Sequence, residues 1–288
     1  MDAVRVCWSG GGLVPEPDAR ISALDRGLLY ADGLFETLRT YGGRPFLLGE
    51  HWARLCTSAE FLGIEVPPVE PEAMVARLVE ANGLPDAVAR ITLTRGPLPR
   101  GPRPGAPASP TLLAQARPLP SNLGPRAAHG IEGRRLPWPL RARGLPLQGH
   151  KTLAYLPSVV ALGAVPEGAE PLLETTEGHL SEGATSNVFW VRAGRLFTPH
   201  TDAGCLPGVA RGLVLSLAEE LGLCAEQGLY PLADLAAAAE ALVTNSVIEV
   251  VPLVRLDGAA IGSGEPGPVT RRLQAAYRDA FRRASAVP

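Results

Sequence analysis

The sequence predicts a two-domain protein of α/β (α+β) class. Two observations carry that prediction: strand and helix patterns interleave in both halves of the 288 residues, and a Pro- and Gly-rich stretch interrupts them before the middle. The length suffices for two compact cores, and 46% apolar with 19% charged residues is ordinary globular usage.

Residues 3–8 read as an opening strand, and Gly10–Gly12 with Pro15 and Pro17 as turn chemistry. Strands at 34–41 and 44–47 flank Gly42 and Gly43, a two-residue spacing that predicts a hairpin. Leu48, Trp52, Leu55, Ala59 and Leu62 recur at three and four residues, marking an amphipathic helix that stops near Gly63. A shorter helix covers 71–82, and strands at 87–94 and 110–116 enclose a Pro- and Gly-rich loop.

Pro118, Pro120, Gly124 and Pro125 mark residues 118–127 as an interdomain linker, so the domains are 1–117 and 128–288. Strands follow near 129–135, 170–175, 186–191 and 195–198. Pro207 and Gly208 precede a helix with Leu213, Leu217 and Leu221 on one face and Gly222 as its stop. Strands at 240–244 and 250–255 lead to a closing helix with Val269, Leu273, Ala276, Tyr277, Ala280 and Phe281 in its apolar stripe. Its arginines, Arg271, Arg272, Arg278, Arg282 and Arg283, read as a solvated face. A site is expected where the two domains meet.

The net charge is −2 and no run of cations forms a stripe, which excludes nucleic acid as an expected partner and leaves a small-molecule substrate. Cys7, Cys56, Cys205 and Cys224 are widely spaced, with no CxxC pair and no histidine at ligand spacing, so neither metal nor disulfide is predicted. No apolar run is long enough to cross a membrane and no leader pattern opens the chain, so a cytoplasmic location is expected.

The cations are 26 arginines and one lysine, Lys151. Arginine replaces lysine wherever a charge or a phosphate fork is needed, but its guanidinium never loses its proton to become an amine nucleophile. A single retained lysine therefore reads either as a chemical requirement or as an ordinary surface residue left by compositional drift.

Six segments decide between these. LDRGLLYADGLFETLR (24–39), HWARL (51–55), HKTLAYLPSV (150–159), LSEGATSNVFWV (180–191), LPGVARGL (206–213) and LVTNSVIEVVPLVRLDG (242–258) together resemble, in order, the class IV aminotransferases, the fold-type IV pyridoxal-phosphate enzymes. The resemblance implies a homodimer whose cofactor, pyridoxal 5'-phosphate, is carried on Lys151 as a Schiff base; the same amine then moves protons at the substrate carbon.

Further roles follow from position in the motifs. Glu182 takes the pyridine nitrogen, Arg54 the phosphate, and the backbone of Val209 and Ala210 adds donors at a helix start. Ser246 supplies a hydroxyl and Val247 an amide. Leu206 packs on the ring, or is a core leucine; Tyr155 reaches the ring's phenolic oxygen, or is a structural tyrosine. Similar enzymes usually have threonine at the position of Ala210, and many have asparagine at that of Ala154, which removes one phosphate hydroxyl and alters hydrogen bonding near the ring.

On the substrate side, Phe35 resembles lyases or branched-chain enzymes, and TNSVIEVVP resembles the lyases. TRGPLPRG at 94–101 places Arg100 either on a substrate carboxylate or in a solvated loop. These hints point to a 4-amino-4-deoxychorismate lyase, releasing pyruvate and 4-aminobenzoate for folate synthesis. The alternative is a D-amino-acid or branched-chain aminotransferase passing an amino group to a 2-oxo acid.

Overall fold

The computed structural model describes residues 4–98, 101–104 and 109–286. The chain divides into two compact units, Met1–Leu119 with His150–Ala154, and Pro120–Gly149 with Tyr155–Pro288. Its class is the mixed α/β one expected, each unit being built on its own sheet.

The first unit opens with β1 (Val6–Ser9) and β2 (Gly12–Pro15). Helix α1 (Arg26–Tyr30) follows, its start capped by Asp25, which accepts from the Gly27 N–H. Then come β3 (Gly33–Tyr41), β4 (Arg44–Pro45), α2 (Leu48–Leu62), α3 (Pro71–Ala81), β5 (Ala87–Thr94) and β6 (Thr111–Pro118). The six strands form one antiparallel sheet in the order β2-β1-β6-β5-β3-β4. Alternate residues of β3 and β5, Leu34, Leu38, Ala89, Ile91 and Leu93, pack with Leu55 and Ala59 of α2 and Met74 and Leu78 of α3. Glu36 lies between Leu34 and Leu38 on that same core face and is 1% exposed.

The second unit contains α4 (Leu123–His129), β7 (Ile131–Arg135), α5 (Leu156–Gly163), β8 (Glu170–Glu174), β9 (Leu180–Gly183), β10 (Asn187–Arg192) and β11 (Arg195–Pro199). It continues through α6 (Val209–Glu220), β12 (Ala225–Gly228), α7 (Leu232–Ala236), β13 (Glu240–Asn245), β14 (Glu249–Leu256), β15 (Ala259–Ala260) and α8 (Pro268–Ala286). Its sheet runs β12-β11-β10-β13-β14-β7-β8-β9, with β15 pairing β14. Parallel pairs at β11/β12, β7/β14 and β7/β8 make it mixed. Leu172, Val188, Trp190, Val243 and Val251 fill its core, and Trp190 stacks on Phe197 with Tyr230 edge-on to both.

The long periodic segments fold as read, within a few residues at their ends. Helices α1, α5 and α7, of five to eight residues, were not anticipated because so few turns carry no periodicity. Helix α4 begins inside the segment read as linker: Pro125 sits in its first turn, where a missing N–H costs nothing. Arg271 is more than a solvated charge. It donates to the carbonyls of Ala127 and Ala128 and so holds the end of α4.

Candidate active site

In the first unit, β3 sorts its side chains by alternation. Phe35 points away from the core face that holds Glu36. Residues 150–154 pair along the opening of β3: the Phe35 N–H donates to Lys151 O at 3.0 Å, the Leu153 N–H to Gly33 O at 2.9 Å, and Leu34 bridges Thr152. This places Lys151 Nζ 4.6 Å from the centre of the Phe35 ring, with the Arg90 guanidinium 3.8 Å from the same centre. His150 anchors the segment to α2, its Nδ1 2.9 Å from Ser58 Oγ and its ring stacked on Phe61 at 4.3 Å. Burial holds its pKa below the ordinary histidine value.

Gly33 makes this pairing possible. A Cβ there would stand 2.5 Å from Leu93 O and 2.8 Å from Leu153 Cδ1. Gly33→Ala is expected to cost about 1–3 kcal/mol through overpacking and to shift the Lys151 segment. Urea unfolding beside a measurement of bound cofactor checks both effects.

On the other face of β3, Glu36 receives Arg54 through two bonds, Nε to Oε1 at 2.8 Å and Nη2 to Oε2 at 2.6 Å, and His51 Nδ1 lies 2.6 Å from Oε2. Burial acts to raise the Glu36 pKa, but the His51 and Arg54 hydrogen bonds and the Arg54 charge outweigh it and hold the carboxyl below its usual range. Arg54 is thus fixed at one end by a carboxylate that motif reading had passed over. The signal was present: a lone acid on the apolar face of an alternating strand needs a cation.

In the second unit, Glu182 of β9 is 7% exposed. Its Oε1 accepts from Arg141 Nη2 at 2.8 Å and Nε at 3.2 Å; its Oε2 accepts the Leu206 N–H at 3.0 Å. Asn187 Nδ2 donates to Leu206 O at 2.9 Å, so the Leu206 backbone is held through both its N–H and its carbonyl. Gly208 caps α6 without a side-chain bond, and a Cβ there would lie 2.1 Å from Asn187 Oδ1. Gly208 thus lets the backbone at the start of α6 approach closely, and the N–H groups of that first turn, at Val209 and Ala210, are of the kind that suits a phosphate.

The Tyr155 hydroxyl donates to Ala184 O at 3.3 Å, and its pKa is raised by burial and then by the Glu182 charge. Ser246 is half-buried in a turn whose Val247 and Ile248 N–H groups donate to Asn245 Oδ1, so the Val247 amide is engaged within the turn. Ala154 is exposed and Ala210 buried. Arg100 lies outside the described residues. Arg90 and Arg141 were not anticipated, because an arginine in an alternating strand or in a proline-rich loop carries no local mark of its partner.

The profile described as amino-transferase class IV matches residues 33–256. The chain belongs to the class IV aminotransferase family. Among class IV relatives, a Methanocaldococcus jannaschii protein provisionally named branched-chain-amino-acid aminotransferase is 36% identical over 94% of this chain and 95% of its own length. The aminodeoxychorismate lyase of Bacillus subtilis is 33% identical over 94% and 93%. The structure of Escherichia coli branched-chain aminotransferase superposes with a TM-score of 0.90, at 29% identity over 97% and 95%. The 4-amino-4-deoxychorismate lyase of Pseudomonas aeruginosa gives 0.78 at 32% identity over 95% and 98%. The branched-chain aminotransferase of Thermoproteus uzoniensis, solved with norvaline, gives 0.85 at 28% identity over 95% and 93%.

These values correct the expectation that this class IV chain stands nearest the lyases. The Pseudomonas lyase is slightly more identical than the E. coli aminotransferase, yet its backbone departs further, and over comparable spans the 36% relative exceeds the 33% lyase. The TNSVIEVVP loop misled because one short loop was weighed against the path of the whole chain. Phe35 was neutral between lyases and branched-chain enzymes.

Proposed function

We propose that this class IV enzyme is a pyridoxal-phosphate-dependent aminotransferase acting on amino acids with branched apolar side chains and passing the amino group to a 2-oxo acid. One observation carries the choice of substrate: the likeness in backbone to the E. coli branched-chain enzyme, greater than that to the Pseudomonas lyase. The buried Phe35 ring offers an apolar surface beside the Lys151 amine, and Arg90 lies against the same ring as a cation for a carboxylate, which supports it.

Group by group the residues fit the cofactor: an amine in the first unit, and in the second a buried carboxylate with its own counter-charge and a helix start whose N–H groups suit an anion. When bound, pyridoxal phosphate supplies an aldehyde for the amine and an electron sink for the substrate carbon. Lys151 would hold it through its amine and, when that amine is free, would move a proton at the substrate α-carbon. Glu182 would hold the ring nitrogen's proton, Leu206 would pack on the ring, and Arg54, Ser246 and the Val209 and Ala210 amides would hold the phosphate. Arg90 orients the substrate through its carboxylate. Across the full cycle, one amino acid becomes a 2-oxo acid while a second 2-oxo acid becomes an amino acid, so no external oxidant is consumed.

The test gives the cofactor-loaded protein L-leucine with 2-oxoglutarate, D-alanine with 2-oxoglutarate, and aminodeoxychorismate alone. Formation of 4-methyl-2-oxopentanoate, strictly dependent on 2-oxoglutarate, is expected to dominate. Pyruvate and 4-aminobenzoate from the third mixture without any 2-oxo acid would sink the reading. Four free cysteines suit a reduced cytosol. Leu156, Val159 and Val160, exposed on α5, suit a homodimer, which sedimentation would detect as twice the mass of one chain.

A further inference from the structure

Glu182 poses a physical problem that its motif does not solve. A carboxylate 7% exposed has lost most of its water, and it keeps its charge only where cations and donors replace that water. The second unit holds another buried carboxyl, Glu170 of β8, which is 3% exposed and provides the contrast. Glu170 Oε1 takes its bonds from neutral donors, Ser186 Oγ at 2.8 Å and the Thr185 N–H at 3.2 Å. Burial pushes its pKa up against the pull of those bonds and of the Arg126 charge, and the Glu182 charge adds to the rise. Both acids are buried, but the bonds to Glu170 come from neutral donors, whereas Glu182 is gripped by a guanidinium at hydrogen-bond distance.

That guanidinium is presented by a fixed backbone. The Arg141 N–H donates to Glu174 O at 3.2 Å and its carbonyl accepts the Thr176 N–H at 3.1 Å, so the residue is pinned beside Thr175 from both sides. Its Nε and Nη2 then close on a single oxygen, Oε1, while the Leu206 amide holds Oε2. A flexible surface arginine would spend side-chain entropy to form such a contact; a pinned one spends much less.

We infer that Arg141 is a positioning residue, supplying the counter-charge that lets Glu182 face the cofactor's ring nitrogen as a carboxylate and fixing the direction in which it points. The inference rests on the pyridoxal-phosphate reading above. Arg141 acts through Glu182 and touches neither cofactor nor substrate in this role.

The experiment measures pyridoxal-phosphate affinity by equilibrium dialysis, and the absorption spectrum of the bound cofactor, for wild type, Arg141→Met, Glu182→Gln and the double variant. A charged hydrogen bond contributes about 1.5–3 kcal/mol, so R141M is expected to weaken binding roughly 10- to 100-fold and to shift the spectrum in the same direction as E182Q. Because Arg141 works through Glu182, adding R141M to E182Q is expected to change little further. A merely structural arginine would lower affinity equally in both backgrounds and leave the spectrum in place, which overturns the inference. So does an R141M protein that binds and absorbs like wild type.

Should R141M fail to fold, Arg141→Lys decides. An ammonium keeps the charge but cannot reproduce the two-donor grip, so an intermediate affinity with a partly shifted spectrum is expected, and values equal to wild type overturn the assignment. A wild type that takes up no pyridoxal phosphate overturns the cofactor reading and this inference together; a binding wild type with an unchanged R141M overturns this inference alone.

Discussion

Lys151→Ala is expected to abolish the proposed amino transfer, by about 10⁴-fold or more, since on that reading it would remove one group from both cofactor attachment and proton movement. The variant is a clean one. The Lys151 contribution to the pairing with β3 is its backbone carbonyl, which accepts from the Phe35 N–H and survives the substitution. Urea midpoints are therefore expected to stay close to wild type while turnover vanishes. Lys151→Arg should be equally inactive, because a guanidinium fills the space and keeps the charge without offering an unprotonated amine. Borohydride reduction followed by peptide mass mapping gives a second readout: the cofactor mass belongs on the peptide holding Lys151 in wild type and on no peptide in either variant. Turnover above about one-hundredth of wild type in Lys151→Ala would remove the lysine from the mechanism.

Glu36→Gln is expected to cost the most stability of any change at the site, about 3–5 kcal/mol, the range for removing one partner of a buried ion pair. Arg54 and His51 would then face a neutral amide from within the core, with side chains 12% and 1% exposed. The sign of the accompanying pH effect follows from the depressed Glu36 pKa. The folded state binds that proton more weakly than the unfolded chain does, so the contribution is fully present above the ordinary glutamate value of 4.5 and is lost as pH falls through the lower folded value. Wild type should thus lose stability steeply on acidification below that point, and the variant should lose less over the same interval. Urea titrations at several acid pH values separate the two; parallel curves would mean that Glu36 is not the group titrating. Cofactor affinity should fall as well, since Arg54 would lose the anchor of its Nε and Nη2.

Much of the fold is legible in the sequence, for reasons that differ by residue. β3 and β5 alternate strictly and α2 repeats at three and four residues, so burial alone wrote their pattern into the sequence. Lys151 is marked by count, and Glu182 and Arg54 by their positions in the motifs, as candidates for the roles proposed above. What could not be read was partnership across long separations. Arg141 meets Glu182 forty-one residues on, and Arg90 reaches the ring of Phe35 through strand pairing, neither of which spacing encodes. The expected nearness to the lyases was overturned for a related reason: a few loop residues were weighed against the path of the whole backbone, which lies nearer a branched-chain aminotransferase.

The segment His150–Ala154 has a consequence for biosynthesis. It completes the first unit although thirty residues of the second precede it in the chain. A nascent polypeptide that has left the ribosome only as far as Leu119 still lacks the partner that Thr152 gives to Leu34, and it holds no lysine at all. Translation at roughly 5–20 residues per second sets an interval of a few seconds in which that edge of β3 waits open. If Lys151 is the residue that captures the aldehyde of a vitamin-derived ligand, as proposed, capture has to wait as well, because that residue arrives with the segment that closes the edge.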